Sequence, residues 1–368
     1  MFKPKHYNYI DFSRGLAILL VIMVHTGQHV SGFDGVLKNV TSWGQMGVQL
    51  FFVASALTLC ISWNSRENEK RKAIKFIIRR FFRIAPVYYL GIFLYFILSW
   101  VNSNFMSGDF SRNFNYTSSS VMNNIFLTHG LSQRSNNNVV PGGWSIGAEF
   151  LFYFSFPFIM TASSMLFKSN GLLKISLSMF MVSVIWFAYV SALHGTYTLN
   201  SYWYYNVLSQ LPAFAFGILL YITLYKGNVL FRRKVLYIIA LLITISIVIL
   251  NTQKTGILVW VNISISSMAF FLLILAINKL GIKAKIIERI GVVSYSMYIS
   301  HFFLVWFLVP YLSKNISNHV NSNVSFLIMY SITVFASYFF SRGLYKYVET
   351  PFINFGKKII QKLDRLPD

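Results

Sequence analysis

Ten apolar stretches constrain this chain more than any other feature, because each runs for roughly 18 to 24 residues, the length of a transmembrane helix. At about 1.5 Å per residue, such a helix crosses a hydrocarbon core of about 30 Å. The sequence is 55% hydrophobic and only 11% charged, whereas soluble domains carry about 25% charged residues. The predicted spans cover residues 12–30, 44–63, 86–103, 146–168, 172–194, 206–225, 232–251, 257–280, 290–313 and 324–345. We therefore expect an all-α fold, a polytopic transmembrane helical bundle that forms one domain over residues 1–368.

The basic residues are distributed unevenly between the connections. A net charge of +22 would suit a nucleic-acid partner if it formed one patch. With the N-terminus in the cytoplasm, however, 27 of the 32 Lys and Arg residues fall in the cytoplasmic segments. This excess is typical of the cytoplasmic loops of membrane proteins. It predicts that both termini are cytoplasmic and that the lipid bilayer, and no nucleic acid, is the partner of this charge.

Three local features bear on the organisation of the chain. The single cysteine, Cys60, excludes an intramolecular disulfide and a cysteine-rich metal site, and we expect it in the core. The external connection near residues 104–143 is long, so we expect it to pack over the helices and shape an entrance, with a mobile polar loop as the alternative. The first apolar stretch is expected to be a retained helix rather than a signal peptide, because it is long and contains His25.

The first span contains Arg14 near its start and His25 in its second half. Eleven residues separate them, which is within about 20° of three full turns, so they share one helix face about 16 Å apart. Arg14 is expected at the cytoplasmic end and His25 in the outer half of the membrane. Such a stripe suits a reaction that takes a donor from one side and delivers a group to the other. A snorkelling anchor and a hydrogen-bonded packing residue are the alternatives.

Further short motifs follow this pair in order along the chain. They are Gly47 with FFVAS at 51–55, RRFFRIAP at 79–86, WSIGAE at 144–149 with FY at 152–153, SYSMYISH at 294–301 and ETP at 349–351. With the arginine, ten intervening residues and histidine of the first span, they resemble the acyltransferase-3 family of membrane acyltransferases. One departure is Ala56, where the family usually has glycine, and it affects only how closely backbone or ligand approaches.

The resemblance implies a membrane O-acyltransferase, most simply an O-acetyltransferase, in a bacterial inner membrane. It would move an acyl group from cytoplasmic acetyl-CoA, the acyl donor, to a hydroxyl of a glycan or lipid-linked glycan on the external side, such as O-antigen or another polysaccharide. No extracytoplasmic hydrolase-like domain is expected after the tenth span. The alternatives are a glycan or lipid-linked-sugar transporter without acyl-transfer chemistry and a non-catalytic partner in envelope synthesis.

The resemblance also assigns roles to the basic residues. Acyl-CoA carries a ribose phosphate and a diphosphate, and guanidinium groups bind phosphates through paired hydrogen bonds. Arg79, Arg80 and Arg83 are expected to bind these phosphates, with Arg83 the first candidate. Arg14 would hold the diphosphate or the thioester end. A simple positive-inside anchor is the alternative for the cluster.

The catalytic candidates are His25 and Glu149. A neutral imidazole suits the removal of a proton from a hydroxyl near neutral pH, so His25 is the expected general base or, alternatively, a transient acyl carrier. Glu149 is expected to orient the His25 ring, as a carboxylate does in a catalytic triad, or else to be a helix-start carboxylate. No metal is expected. The predicted substrate-binding residues are Trp144, Ser145, Tyr295, Tyr298 and His301.

Overall fold

A computed structural model describes residues 7–105, 116–165, 170–195, 197–227, 232, 234–316 and 319–365. These residues form helices joined by short connections, with a single isolated β-bridge between Thr198 and Thr255. The α-helices are α1 (Asn8–Gly27), α2 (Gly35–Trp43), α3 (Gly47–Asn64), α4 (Lys72–Phe105), α5 (Ser118–Ile125), α6 (Gly143–Met165), α7 (Gly171–His194), α8 (Tyr202–Tyr205), α9 (Val207–Tyr225), α10 (Val235–Thr252), α11 (Ile257–Lys279), α12 (Lys285–Val292), α13 (Ser294–Ile316), α14 (Ser322–Leu344) and α15 (Thr350–Leu363). A π-helical turn, Tyr345–Glu349, joins α14 to α15.

The described residues contain ten helical segments long and apolar enough to cross a membrane. This confirms the prediction of an all-α, polytopic transmembrane bundle. Cys60 is fully buried, as predicted for a small core residue.

Helix α4 differs most from the sequence prediction, because it begins at Lys72 rather than near residue 86. The basic segment is therefore helical, with Pro86 inside the helix. Proline removes one backbone hydrogen bond, and such prolines are tolerated in membrane helices where neighbouring helices bond to the backbone. The carbonyl that Pro86 leaves without its helical partner is that of Phe82, four residues earlier. Close to this proline, the Tyr295 hydroxyl of α13 donates a hydrogen bond of 2.7 Å to the carbonyl of Ile84 and so links α13 to α4.

Helix α1 is approached closely by its neighbours α3 and α12. Gly47, at the start of α3, has no room for a side chain, because a Cβ atom there would lie 2.6 Å from the carbonyl oxygen of Ala17. Gly291 of α12 packs in the same way on the backbone of Asp11. These approaches hold α3 and α12 against α1, with no layer of side chains between the backbones.

The connection that was predicted to be external packs on the helices where the structure describes it. The Tyr88 hydroxyl of α4 donates to Asn124 Oδ1 at 2.6 Å, and His129 Nε2 donates to the Gly143 carbonyl at 2.9 Å. His129 and Asn124 are both buried. The prediction that this connection packs over the helices is confirmed for residues 116–142, whereas residues 106–115 lie outside the described ranges.

Candidate active site

A cavity of about 60 Å³ lies between α1, α3, α4, α6 and α13. Its charged lining residues are Arg14, Arg83 and Glu149. Of the other predicted site residues, Ser145, Tyr295 and Tyr298 also line it. Residues from five helices and from motifs far apart in the sequence therefore meet in one place.

Glu149 lies at the centre of a hydroxyl cluster. Its Oε1 accepts a hydrogen bond of 2.6 Å from Ser55 Oγ and a second one from the Tyr153 hydroxyl. The hydroxyl oxygens of Ser55 and Tyr153 are themselves 2.9 Å apart. Two hydroxyl groups, from α3 and α6, therefore meet at one carboxylate oxygen.

Arg14 and Arg83 supply the positive charge opposite this carboxylate. Arg14 Nη2 donates a hydrogen bond of 3.3 Å to Thr58 Oγ1. Arg83 interacts electrostatically with Glu349 and Glu149. Glu349 is buried and accepts a hydrogen bond of 2.8 Å from Ser296 Oγ. The guanidinium pair in the cavity is therefore balanced by Glu149 in the lining and by Glu349, which lies outside it.

The remaining predicted arginines lie outside the cavity lining. Arg79 forms a two-point ion pair with Glu69, with N–O distances of 2.9 and 2.6 Å. Arg80 is 8% exposed and stacks against Phe76 and Tyr153, with ring-centroid distances of 5.4 and 5.5 Å. Residues 79, 80 and 83 lie within about 100° of one another around α4, so what separates the three arginines is their partners: only Arg83 is left to line the cavity.

His25 lies in the last turn of α1, beyond the cavity lining. Its Nδ1 is 3.0 Å from Gln28 Oε1. The His25 ring centroid is 5.4 Å from that of His301 and 4.4 Å from that of Phe302. The predicted stripe along α1 thus links the cavity at Arg14 to a histidine pair at the other end of the helix.

The expected contact between Glu149 and His25 is wrong, since Glu149 bonds to Ser55 and Tyr153 and His25 bonds to Gln28. The reason is the start of α6 at Gly143, which places Glu149 in the second turn of that helix, about 9 Å along its axis. His25, by contrast, is only two residues from the end of α1.

His301 is fully buried. Its Nδ1 lies 3.1 and 2.8 Å from the carbonyl oxygens of Met297 and Tyr298. Carbonyl oxygens only accept hydrogen bonds, so Nδ1 carries the proton and Nε2 has a free lone pair. Within the described residues, Nε2 has no hydrogen-bond partner. By the same reasoning, the amide oxygen of Gln28 places the His25 proton on Nδ1 and leaves its Nε2 able to accept one.

Tyr298 connects the cavity to the histidine pair. Its hydroxyl accepts a hydrogen bond of 2.7 Å from Ser145 Oγ and donates one of 3.0 Å to the Gly142 carbonyl. Its ring centroid is 5.8 Å from that of His301. Trp144 does not line the cavity, because it stacks on Tyr205 with a centroid distance of 4.5 Å.

Sequence reasoning gave no role to four residues that form the site. Ser55, Tyr153 and Glu349 lie within the quoted motifs, so a signal for them was present. Gln28 is three residues after His25, a spacing at which helical side chains are neighbours. Among the described residues, no group of three His, Cys, Asp or Glu side chains is placed to hold a metal ion.

Comparisons with known proteins bear on the family of the chain. A comparison with curated proteins returned no match. The family model Acyl_transf_3, described as an acyltransferase domain, matches residues 7–342 and therefore includes every helix that lines the cavity. The chain is a multi-pass membrane protein that belongs to the acyltransferase-3 family.

Proposed function

We propose that this membrane acyltransferase is an O-acetyltransferase that moves the acetyl group of cytoplasmic acetyl-CoA to a hydroxyl of an envelope glycan, such as O-antigen, across a bacterial inner membrane. Both termini are cytoplasmic in this account, as the distribution of Lys and Arg predicts. The observation that carries the proposal is the arrangement along α1. Arg14 faces a charged cavity, and eleven residues further on His25 contacts His301.

The donor binds through its diphosphate in this proposal. Arg14 and Arg83 are half-buried in the cavity, where water competes less for a phosphate than at the surface. Arg83 presents a planar fork that bonds two phosphate oxygens at once. Glu149 and Glu349 offset the arginine charges when the donor is absent.

His25 is the general base. Its Nε2 takes the proton of the acceptor hydroxyl while the hydroxyl oxygen attacks the thioester carbonyl carbon. The carbon–sulfur bond breaks and the CoA sulfur leaves with the electron pair, then takes the proton from the imidazolium. The products are an ester and CoA with a free thiol. Gln28 keeps the other ring nitrogen protonated, which reserves Nε2 for the reaction.

Tyr295, Tyr298, Ser145 and His301 have supporting roles in this account. Tyr295 and Tyr298 form the wall of the cavity on α13. The bond from Ser145 to Tyr298 ties α6 to α13 beside the histidine pair. His301 contacts His25 directly and offers a second free nitrogen to an acceptor hydroxyl.

The test is acetyl transfer by the purified protein in liposomes. Acetyl-CoA is supplied on one side and a polysaccharide acceptor on the other, and the released thiol and the glycan ester are both measured. We expect equal amounts of the two products from the unaltered protein and neither from His25→Ala. A glycan or lipid-linked-sugar transporter would instead move its substrate without acetyl-CoA and in the His25→Ala variant.

A further inference from the structure

A second, larger cavity is lined by Val293, the residue before Ser294 of the first cavity. It is a groove of about 830 Å³ between α12, the end of α14 and the π-helical turn. Three basic residues line it: Arg289, Arg342 and Lys346. All three are exposed. We call this feature the cationic groove.

The basic side chains of the cationic groove have no acidic partner among the described residues that line it. Arg342 lies over the ring of Tyr338, at 6.0 Å from its centroid, and Lys346 Nζ lies 4.9 Å from the centroid of Tyr347. Glu349 is close in sequence but is buried and bonded to Ser296. The groove therefore keeps an uncompensated positive charge, which attracts a multiply charged anion.

The groove is next to the active-site cavity. Val293 lines the groove and Ser294, the following residue, lines the cavity. Tyr345 of the groove also interacts electrostatically with Arg83 of the cavity. A long ligand can therefore occupy both sites at once.

The charges of the first cavity do not suffice for all the phosphates of a CoA donor. Arg14 and Arg83 face Glu149 and Glu349 there, and Arg79 is occupied by Glu69. The diphosphate lies nearer to the thioester than the ribose phosphate does, because the pantetheine arm is attached to it. When the diphosphate is in the cavity and the pantetheine arm runs towards His25, the ribose phosphate lies on the other side of the diphosphate, away from the thioester.

We propose that the cationic groove binds the adenosine end of the donor, with Arg342 and Lys346 holding its ribose 3′-phosphate. This inference rests on the proposed function, since it assumes a CoA donor. Arg289 adds charge from the facing helix α12. Tyr347, whose side chain is 71% exposed, offers an aromatic face on which an adenine ring stacks. A volume of about 830 Å³ is that of a small-molecule site.

The experiment compares CoA with dephospho-CoA, which lacks only the 3′-phosphate, by calorimetry on the purified full-length protein without anionic lipid. The unaltered protein should bind CoA about tenfold more tightly, the effect of a charge-assisted hydrogen bond. In the double variant Arg342→Gln, Lys346→Gln, CoA should bind only as tightly as dephospho-CoA, whose affinity stays unchanged. Lys279→Gln, which removes an exposed cation from the end of α11 outside the groove lining, should leave both affinities unchanged.

Three results would overturn the inference. In the first, the double variant still binds CoA about tenfold more tightly than dephospho-CoA. In the second, it binds both ligands more weakly by the same factor. In the third, it keeps its preference for CoA, but its activity no longer depends on anionic lipid in the vesicles. The last result would assign the groove to lipid headgroups. If the unaltered protein bound neither CoA nor dephospho-CoA, the proposed donor itself would be wrong, and this outcome is distinct from the other three.

Discussion

The rings of His25 and His301 lie 5.4 Å apart between centroids, where the last turn of α1 meets α13. Each Nδ1 is bonded to an oxygen that accepts hydrogen bonds, so each Nε2 carries a lone pair. This pairing brings together two histidines that are 276 positions apart in the chain. It places two imidazole Nε2 lone pairs eleven residues along α1 from Arg14.

Replacement of His25 by alanine should reduce acetyl transfer by about a hundredfold or more, the contribution of general-base catalysis. The amount of protein in the membrane should stay near normal, because an apolar helix inserts readily without an imidazole. Initial rates at matched protein levels measure this. His29→Ala, four positions further along and outside α1, is the control and should keep its activity. Full activity of His25→Ala would remove this residue from the mechanism.

Gln28 should affect the rate through the His25 tautomer. Gln28→Ala removes the oxygen that accepts from Nδ1 and should lower kcat roughly three- to tenfold, the value of one hydrogen bond. Gln28→Glu keeps an accepting oxygen and should retain most of the activity. Donor affinity should be the same in both variants, since Gln28 is remote from the cavity lining. Equal kcat values in the two variants would contradict this role.

Arg83 should bind donor phosphate by its planar geometry as well as its charge. Arg83→Lys keeps the charge but loses the paired hydrogen bonds, so acetyl-CoA affinity should fall roughly ten- to a hundredfold. Calorimetry on the purified protein measures this affinity for acetyl-CoA. Arg66→Lys, in the connection before α4, is the control, because Arg66 does not line the cavity and donates hydrogen bonds to Ser62 and Ser65 near it in the sequence. Unchanged affinity in Arg83→Lys would return this arginine to an anchoring role.

The orientation in the membrane is directly testable because the only cysteine is buried. In a Cys60→Ala background, Ser119→Cys should react with a membrane-impermeant maleimide on intact cells. Lys358→Cys should react only after the cells are opened. Both native side chains are exposed, so access depends on the side of the membrane. The opposite pattern at both positions would invert the topology and the direction of transfer.

The sequence was sufficient for the architecture of this protein because the bilayer limits the choice of structure. A backbone in hydrocarbon must satisfy its own hydrogen bonds, so each long apolar stretch is a helix. Helix ends are less determined by composition, and this is why α4 begins 14 residues before the predicted span. The apolar residues define the part in lipid, whereas a helix continues into water wherever side chains support it.

The residues that form the site were easier to predict than the contacts between them. Arg14 and Arg83 were both expected to bind the donor, and they line one cavity together with Glu149, which was expected beside His25. The partner of Glu149 was not predictable, because it depends on the start of α6 and on the close approach of α3 to α1. Neither of these two features can be recognised from a local sequence pattern. The ion pair between Arg79 and Glu69 depends likewise on the fold of a connection.

The mass of the surface polysaccharide shows whether the protein transfers an acetyl group to a glycan. Polysaccharide is isolated from cells that produce the unaltered protein, the His25→Ala variant or neither, and its repeating unit is weighed before and after mild alkali. The account predicts an alkali-labile acetyl group only in cells with the unaltered protein. An identical repeating unit in all three samples would contradict acyl transfer to this glycan through His25.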